Sequence, residues 1–174
     1  MVPHFQRRAD GIQTRTGAKK AEAVTIPEDI AQALKAQPAT TGQERRDALI
    51  MCLLLDHGLR VEEVAILTAK AFDMKAGPFT FYRPKVNKVQ THTMTQDTRQ
   101  APRAYLKHAP ADGILWRKSS KGTRKLGGQL SETTATRAIN KRVERLGRHA
   151  GIDRLSRTIT GTTPRPSRRA KVRR

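Results

Sequence analysis

The run Ala48-Leu49-Ile50-Met51-Cys52-Leu53-Leu54-Leu55 contains no charged or hydrogen-bonding polar side chain, and this limits what the chain can fold into. A helix made of it is apolar all round, so it belongs at the centre of a domain. It is far too short for a membrane span, which needs about 20 residues. Ahead of it, Thr41 and Glu44 have the spacing of a capping box, in which two side chains satisfy backbone N–H groups reciprocally. After it, Gly58 supplies a helix stop. Arg45–Leu67 therefore reads as a buried helix, a turn ending in Arg60, and a short amphipathic helix with Glu63, Val64, Ile66 and Leu67. An arginine set directly after a buried helix is held rigidly, as fixed-point binding of a phosphate requires.

The charge balance agrees with such a ligand. The 174 residues include 35 Lys and Arg against 15 acidic residues, a net charge of +20. A charge so far from neutral points to a polyanionic partner, nucleic acid first. The length is enough for one domain with its own core. The single cysteine, Cys52, excludes an intrachain disulfide and a cysteine-based zinc cluster. No segment has the length of a membrane helix, and the N-terminus lacks the apolar core of a signal peptide. The expected location is the cytoplasm, without membrane contact.

Along the chain, residues 1–24 read as a flexible basic leader, either a plain leader or an arm on DNA phosphates. Thr25 and Pro27 start a short helix whose apolar face is Ile30, Ala33 and Leu34, and Pro38 ends it. Strand formers follow at Phe79–Tyr82, then a basic turn Arg83–Lys88 and a returning strand Val89–Met94, which together predict a β-hairpin. Gln96–His108 reads as a helix, with Pro102 either inside it or marking its first turn. Trp116, beside Lys118 and Lys121, is either a core residue under a basic loop or a base-stacking platform. Ser131 caps a last helix reaching about Ala150, where Gly151 stops it. Its apolar stripe is Ala135, Ile139, Val143, Leu146 and Ala150; Arg137, Lys141, Arg142, Arg145 and Arg148 lie largely off the stripe, as either a solvated basic face or a face for DNA phosphates, the second favoured by the overall charge.

Gly58-Leu59-Arg60-Val61-Glu62-Glu63-Val64 resembles the G-L-R-x-x-E-(L/V) first box of the catalytic domain of tyrosine recombinases, the phage-integrase family. The hairpin lies where that family places one. Its G-K-G-N-K-x-R-x-V-P form aligns on Asn87-Lys88 and selects Lys88, with Lys85 the competitor because Pro84 and Val86 replace the usual glycines. The segments ADGILW and LSETTATRAINKRVERLGRHAGI also resemble the family, so the likeness runs from about Thr25 to Leu155. It implies a mainly α-helical α+β integrase-type domain with a small hairpin sheet, acting in DNA integration and recombination. Arg60 would clamp the scissile phosphate, and Lys88 would protonate the leaving 5′ oxygen; Glu63 would orient Arg60 or form an ordinary surface i,i+3 pair with it. Arg83, Lys85, Lys118, Lys121, Arg137 and Lys141 would contact DNA. The implied partners are double-stranded DNA and other recombinase subunits, with no metal or cofactor.

The pattern breaks after Leu155-Ser156. There the family continues with (L/I)-(S/T)-P-H-x-L-R-H and later a tyrosine nucleophile; here no H-x-x-R follows, and both tyrosines, Tyr82 and Tyr105, lie upstream. Codons for Arg157–Pro166 can be chosen so that one added C makes them read Pro-His-Asp-Tyr-Arg-His-Tyr-Thr-Ala-Thr, which contains the missing box. The expected organisation is a leader (1–24), a partial catalytic domain (25–155) and a disordered basic tail (156–174) out of frame. The expected function is a DNA-binding recombinase fragment unable to cleave. The alternative is a small basic nucleic-acid-binding protein with no catalytic ancestry, which absence of the hairpin between Phe79 and Met94 would favour.

Overall fold

A computed structural model describes residues 26–107, 112–120, 125–152 and Leu155. The expected leader, Lys121 and the tail from Ser156 onward lie outside these residues. The described elements are α1 (Glu28–Lys35), α2 (Gly42–Leu55), α3 (Val61–Ala65), β1 (Pro78–Arg83), β2 (Lys88–Thr93), α4 (Gln96–Leu106), β3 (Arg117–Ser119), β4 (Leu126–Gln129) and α5 (Glu132–His149). The fold is α+β and mainly helical, with two separate two-stranded antiparallel sheets.

Helix α2 is the centre. Thr41 Oγ1 accepts from Glu44 N at 3.2 Å and Glu44 Oε2 accepts from Thr41 N at 2.9 Å, so the capping box forms as expected. Leu49 through Leu54 are all buried. Gly58, with φ +62°, reverses the chain toward Arg60, a backbone conformation that costs other residues strain. On α1, Leu34 is buried and Ile30 half-buried, but Ala33 is exposed, so the apolar face is narrower than the sequence predicts. Lys35 at its end donates to Asp56 and Asp97, both at 2.9 Å, tying α1 to the end of α2 and the start of α4.

The hairpin forms, but its turn is shorter than Arg83–Lys88. Those two residues are the last cross-strand pair, and a 3-10 turn at Pro84–Val86 with Asn87 at φ 49° closes the ribbon. Pro102 lies inside α4 and not at its first turn; Thr95 caps the helix by accepting from Thr98 N at 3.1 Å. The β3–β4 pair was not predicted, because Gly127 and Gly128 break any strand alternation. Trp116 is a core residue: fully buried, it donates Nε1–H to the Val64 carbonyl at 2.6 Å and stacks on Tyr105. The stripe of α5 is buried at Ala135, Ile139, Val143 and Leu146. Gly147 admits Leu155 closely, since a Cβ there would sit 2.6 Å from the Leu155 Cβ.

Charge also crosses the core. Asp47 of α2 is fully buried and accepts from Arg142 Nε at 2.6 Å, while Arg46 Nη1 donates to the Arg117 carbonyl at 2.9 Å. Burial pushes the Asp47 carboxyl above the ordinary carboxylate range even with Arg142 beside it. Arg142, expected on the DNA-facing side of α5, is turned inward to join α5 to α2.

The hairpin docks on the end of α2 through rings. His57 meets Phe79 edge-on at 4.8 Å, and His92 lies 5.6 Å from His57 and 4.9 Å from Phe81. The Thr98 hydroxyl donates to Asp56 at 3.0 Å, which leaves the His57 Nε2–H to donate to Thr98 Oγ1 at 3.1 Å. Burial, then the neighbouring His92, lower the His57 pKa to about 4; burial and Arg83 lower that of His92.

Two predictions follow from this packing. Trp116→Phe removes a buried hydrogen bond and leaves a void, so urea denaturation should show a loss of about 2 kcal/mol; a loss below about 0.5 kcal/mol would contradict the assigned packing. Because His57 is neutral in the fold and titrates near 6.5 when unfolded, its contribution is complete above pH 6.5 and is lost as pH falls toward 4. Urea midpoints at neutral pH and near pH 4 should therefore diverge more for the wild type than for His57→Gln. Equal divergence would remove His57 from this account.

Candidate nucleic-acid interface

Arg60 follows the Gly58 turn in extended conformation, as the residue that caps α3. A helix start leaves backbone N–H groups unpaired, and Glu63 answers one of them: its Oε2 accepts from Arg60 N at 2.9 Å. The other oxygen, Oε1, accepts from Arg83 Nε at 3.0 Å and lies 3.5 Å from Arg60 Nη1. Glu63 is 1 % exposed. It is therefore not the surface i,i+3 partner that its spacing alone allowed. It is a buried carboxylate shared by two arginines from two elements, α3 and β1.

The side chain of Arg60 keeps 37 % exposure and that of Arg83 24 %. The Arg83 guanidinium also lies over the Phe81 ring, 5.2 Å from its centroid. Antiparallel partners share a ribbon face. Lys88, paired with Arg83, thus stands on the face that carries Phe79 and Phe81 toward the core. Lys85 sits in the closing turn, and both lysines are exposed. The structure thus brings Arg60, Glu63 and Arg83 together, with Lys88 beside Arg83.

The other expected DNA contacts lie on separate elements. Arg137 and Lys141 are exposed one turn apart on α5, and Lys118 is exposed on β3. Lys121 lies outside the described residues. The tyrosines have other surroundings: Tyr82, next to Arg83 in β1, is on the opposite ribbon face and donates to Asn87 Oδ1 at 2.6 Å. Tyr105 is fully buried, with its hydroxyl donating to the Leu115 carbonyl at 3.1 Å. Among the described residues no group of three or more His, Cys, Asp or Glu is placed to hold a metal ion, and no helix is long and apolar enough to cross a membrane.

Two guanidinium groups around one carboxylate leave a single net positive charge facing solvent. Each can present a planar fork of N–H donors, which matches the oxygens of a phosphate. Sequence reasoning named all three residues, but not that Glu63 joins Arg60 to Arg83. Glu63 and Arg83 lie 20 positions apart, a separation that carries no local signal.

The model of the phage integrase family matches residues 24–166, continuing past Leu155, where the motif likeness ends. A comparison with curated proteins found no match. Among solved structures, the XerA recombinase has a TM-score of 0.57 at 21 % identity, over 79 % of this chain and 47 % of that one. The integrase of mycobacterium phage Brujita has a TM-score of 0.54 at 19 % identity, over 82 % of this chain and 44 % of that one. The chain therefore spans less than half the length of either, and the likeness to both is one of fold. With its G-L-R-x-x-E box at the start of α3 and a family match over most of its length, the chain belongs to the phage integrase family.

Proposed function

We propose that this chain binds double-stranded DNA as part of a site-specific recombination system, with Arg60 on a backbone phosphate. The observation that carries the reading is the pairing of a partly exposed Arg60 with a buried Glu63 inside the family's first box. Glu63 fixes the backbone and side chain of Arg60 before any ligand arrives, so little reorganisation accompanies phosphate binding. Lys88 is the proposed donor of a proton to a leaving 5′ oxygen. Its support is its place opposite Arg83; Lys85, at the turn, is its competitor. Lys118, Arg137 and Lys141 are proposed phosphate contacts, supported by exposure, and Lys121 is proposed from the sequence. Other recombinase subunits are proposed partners and the cytoplasm the proposed location.

In this family cleavage needs a tyrosine nucleophile. Tyr105 is bonded in the core and Tyr82 faces away from Arg83, so neither is presented beside Arg60. We therefore assign this 174-residue chain DNA binding without a covalent 3′-phosphotyrosyl link formed by the chain alone. A shifted reading frame after Ser156 is proposed for the basic tail from the codon choices alone; the family match runs on to residue 166. Absence of a hairpin between Phe79 and Met94 would favour the alternative, a nucleic-acid-binding protein without catalytic ancestry; β1 and β2 occupy that stretch.

Duplex binding measured by fluorescence anisotropy should weaken by about a thousandfold between 50 and 200 mM salt, as several phosphate contacts dictate. Nearly constant affinity would exclude the phosphate-based reading. The same mixtures should yield no SDS-resistant protein–DNA adduct; an adduct would reveal a nucleophile this account does not contain.

A further inference from the structure

The first box supplies Arg60 and Glu63, while Arg83 arrives from β1, on a different element. We propose that Arg60 and Arg83 act together as a two-guanidinium clamp on one DNA phosphate, with Glu63 as the post that sets their spacing. The inference rests on the DNA-binding reading above and assigns Arg83 a role in that same site.

Three observations lead to it. First, both arginines meet the same oxygen, Glu63 Oε1, at 3.0 and 3.5 Å, so their guanidinium groups lie within reach of one phosphate. Second, the charges balance. Two cations and one carboxylate leave one positive charge, the complement of a phosphodiester. Third, Arg83 engages Glu63 through Nε, a bond that does not use its two Nη groups, and its guanidinium lies over the Phe81 ring. A clamp of this kind is rigid because its post is buried and bonded to the backbone of Arg60.

The competing role for Arg83 is a pin that only fastens the hairpin, and the salt dependence of binding separates the two. Each neutralised phosphate contributes about 0.9 to the slope of log K against log salt. Glu63 cancels one of the two arginines, so removing either leaves no net charge to neutralise the phosphate. Arg60→Ala and Arg83→Ala should each weaken duplex binding roughly tenfold at fixed salt and lower the slope by about 0.9. The double variant should lower it by about 0.9 and no further. A fraction of misfolded protein shifts the intercept and not the slope. Arg83→Gln, which keeps a donor for Glu63, serves as a second variant and should match Arg83→Ala.

Other outcomes overturn the clamp. Single losses of about 0.9 with a double loss of about 1.8 would put the arginines on separate phosphates. A full loss of about 0.9 from Arg60→Ala with no change from Arg83→Ala or Arg83→Gln would make Arg83 a pin, leaving the DNA-binding reading intact. An unchanged slope in the double variant would remove Arg60 from the DNA and overturn that reading as well.

Discussion

A carboxylate with 1 % exposure is the constraint on which the candidate site depends. An uncompensated buried charge costs several kcal/mol, so Glu63 must keep its partners. Those partners are the backbone N–H of Arg60, its guanidinium and the Nε–H of Arg83. One side chain thereby completes the start of α3, sets the direction of Arg60 and fastens the turn end of the hairpin. The hairpin residues that the resemblance singles out, Lys85 and Lys88, lie beside that attachment.

Beneath the site the same principle recurs with a structural outcome. Asp47 binds Arg142 across α2 and α5, and Asp56 gathers Lys35, Thr95 and Thr98 where α1, α2 and α4 meet. These links fix how the helices rotate about α2, which apolar packing alone specifies less sharply. They also divide the arginines by role. Arg142 ties two helices together, whereas Arg137 and Lys141 on the same helix remain in solvent. The apolar run, the capping box and Gly58 hold the turn from which Arg60 projects, so the phosphate-binding geometry begins inside the core.

Much of this was legible in the sequence because it is local. The Thr41–Glu44 box, the apolar run and the stripe on α5 are local patterns, and they formed as read except that Ala150 ends the stripe half-buried, just beyond the helix. The hairpin was legible from its strand formers, but its ends were not: Arg83 and Lys88 belong to the strands because of their register and because Glu63 holds Arg83. What stayed hidden were long-range pairings of charged residues. An acidic residue three positions from an arginine looks like a surface pair, and nothing nearby showed that Glu63 is buried. Arg142 could not be told from its neighbours, since its partner Asp47 lies 95 positions away. The β3–β4 pair escaped because two glycines remove the alternation by which a strand is recognised.

Amide hydrogen exchange in Glu63→Ala tests most directly whether this buried carboxylate makes the Arg60 turn and the hairpin one unit. The account predicts that the Arg60 amide and the strand amides of β1 and β2 lose protection together, by about tenfold or more, while the centre of α2 keeps its own. If the Arg60 amide alone opens and the hairpin stays as protected as in the wild type, Glu63 does not couple the two, and the shared site would have to be abandoned.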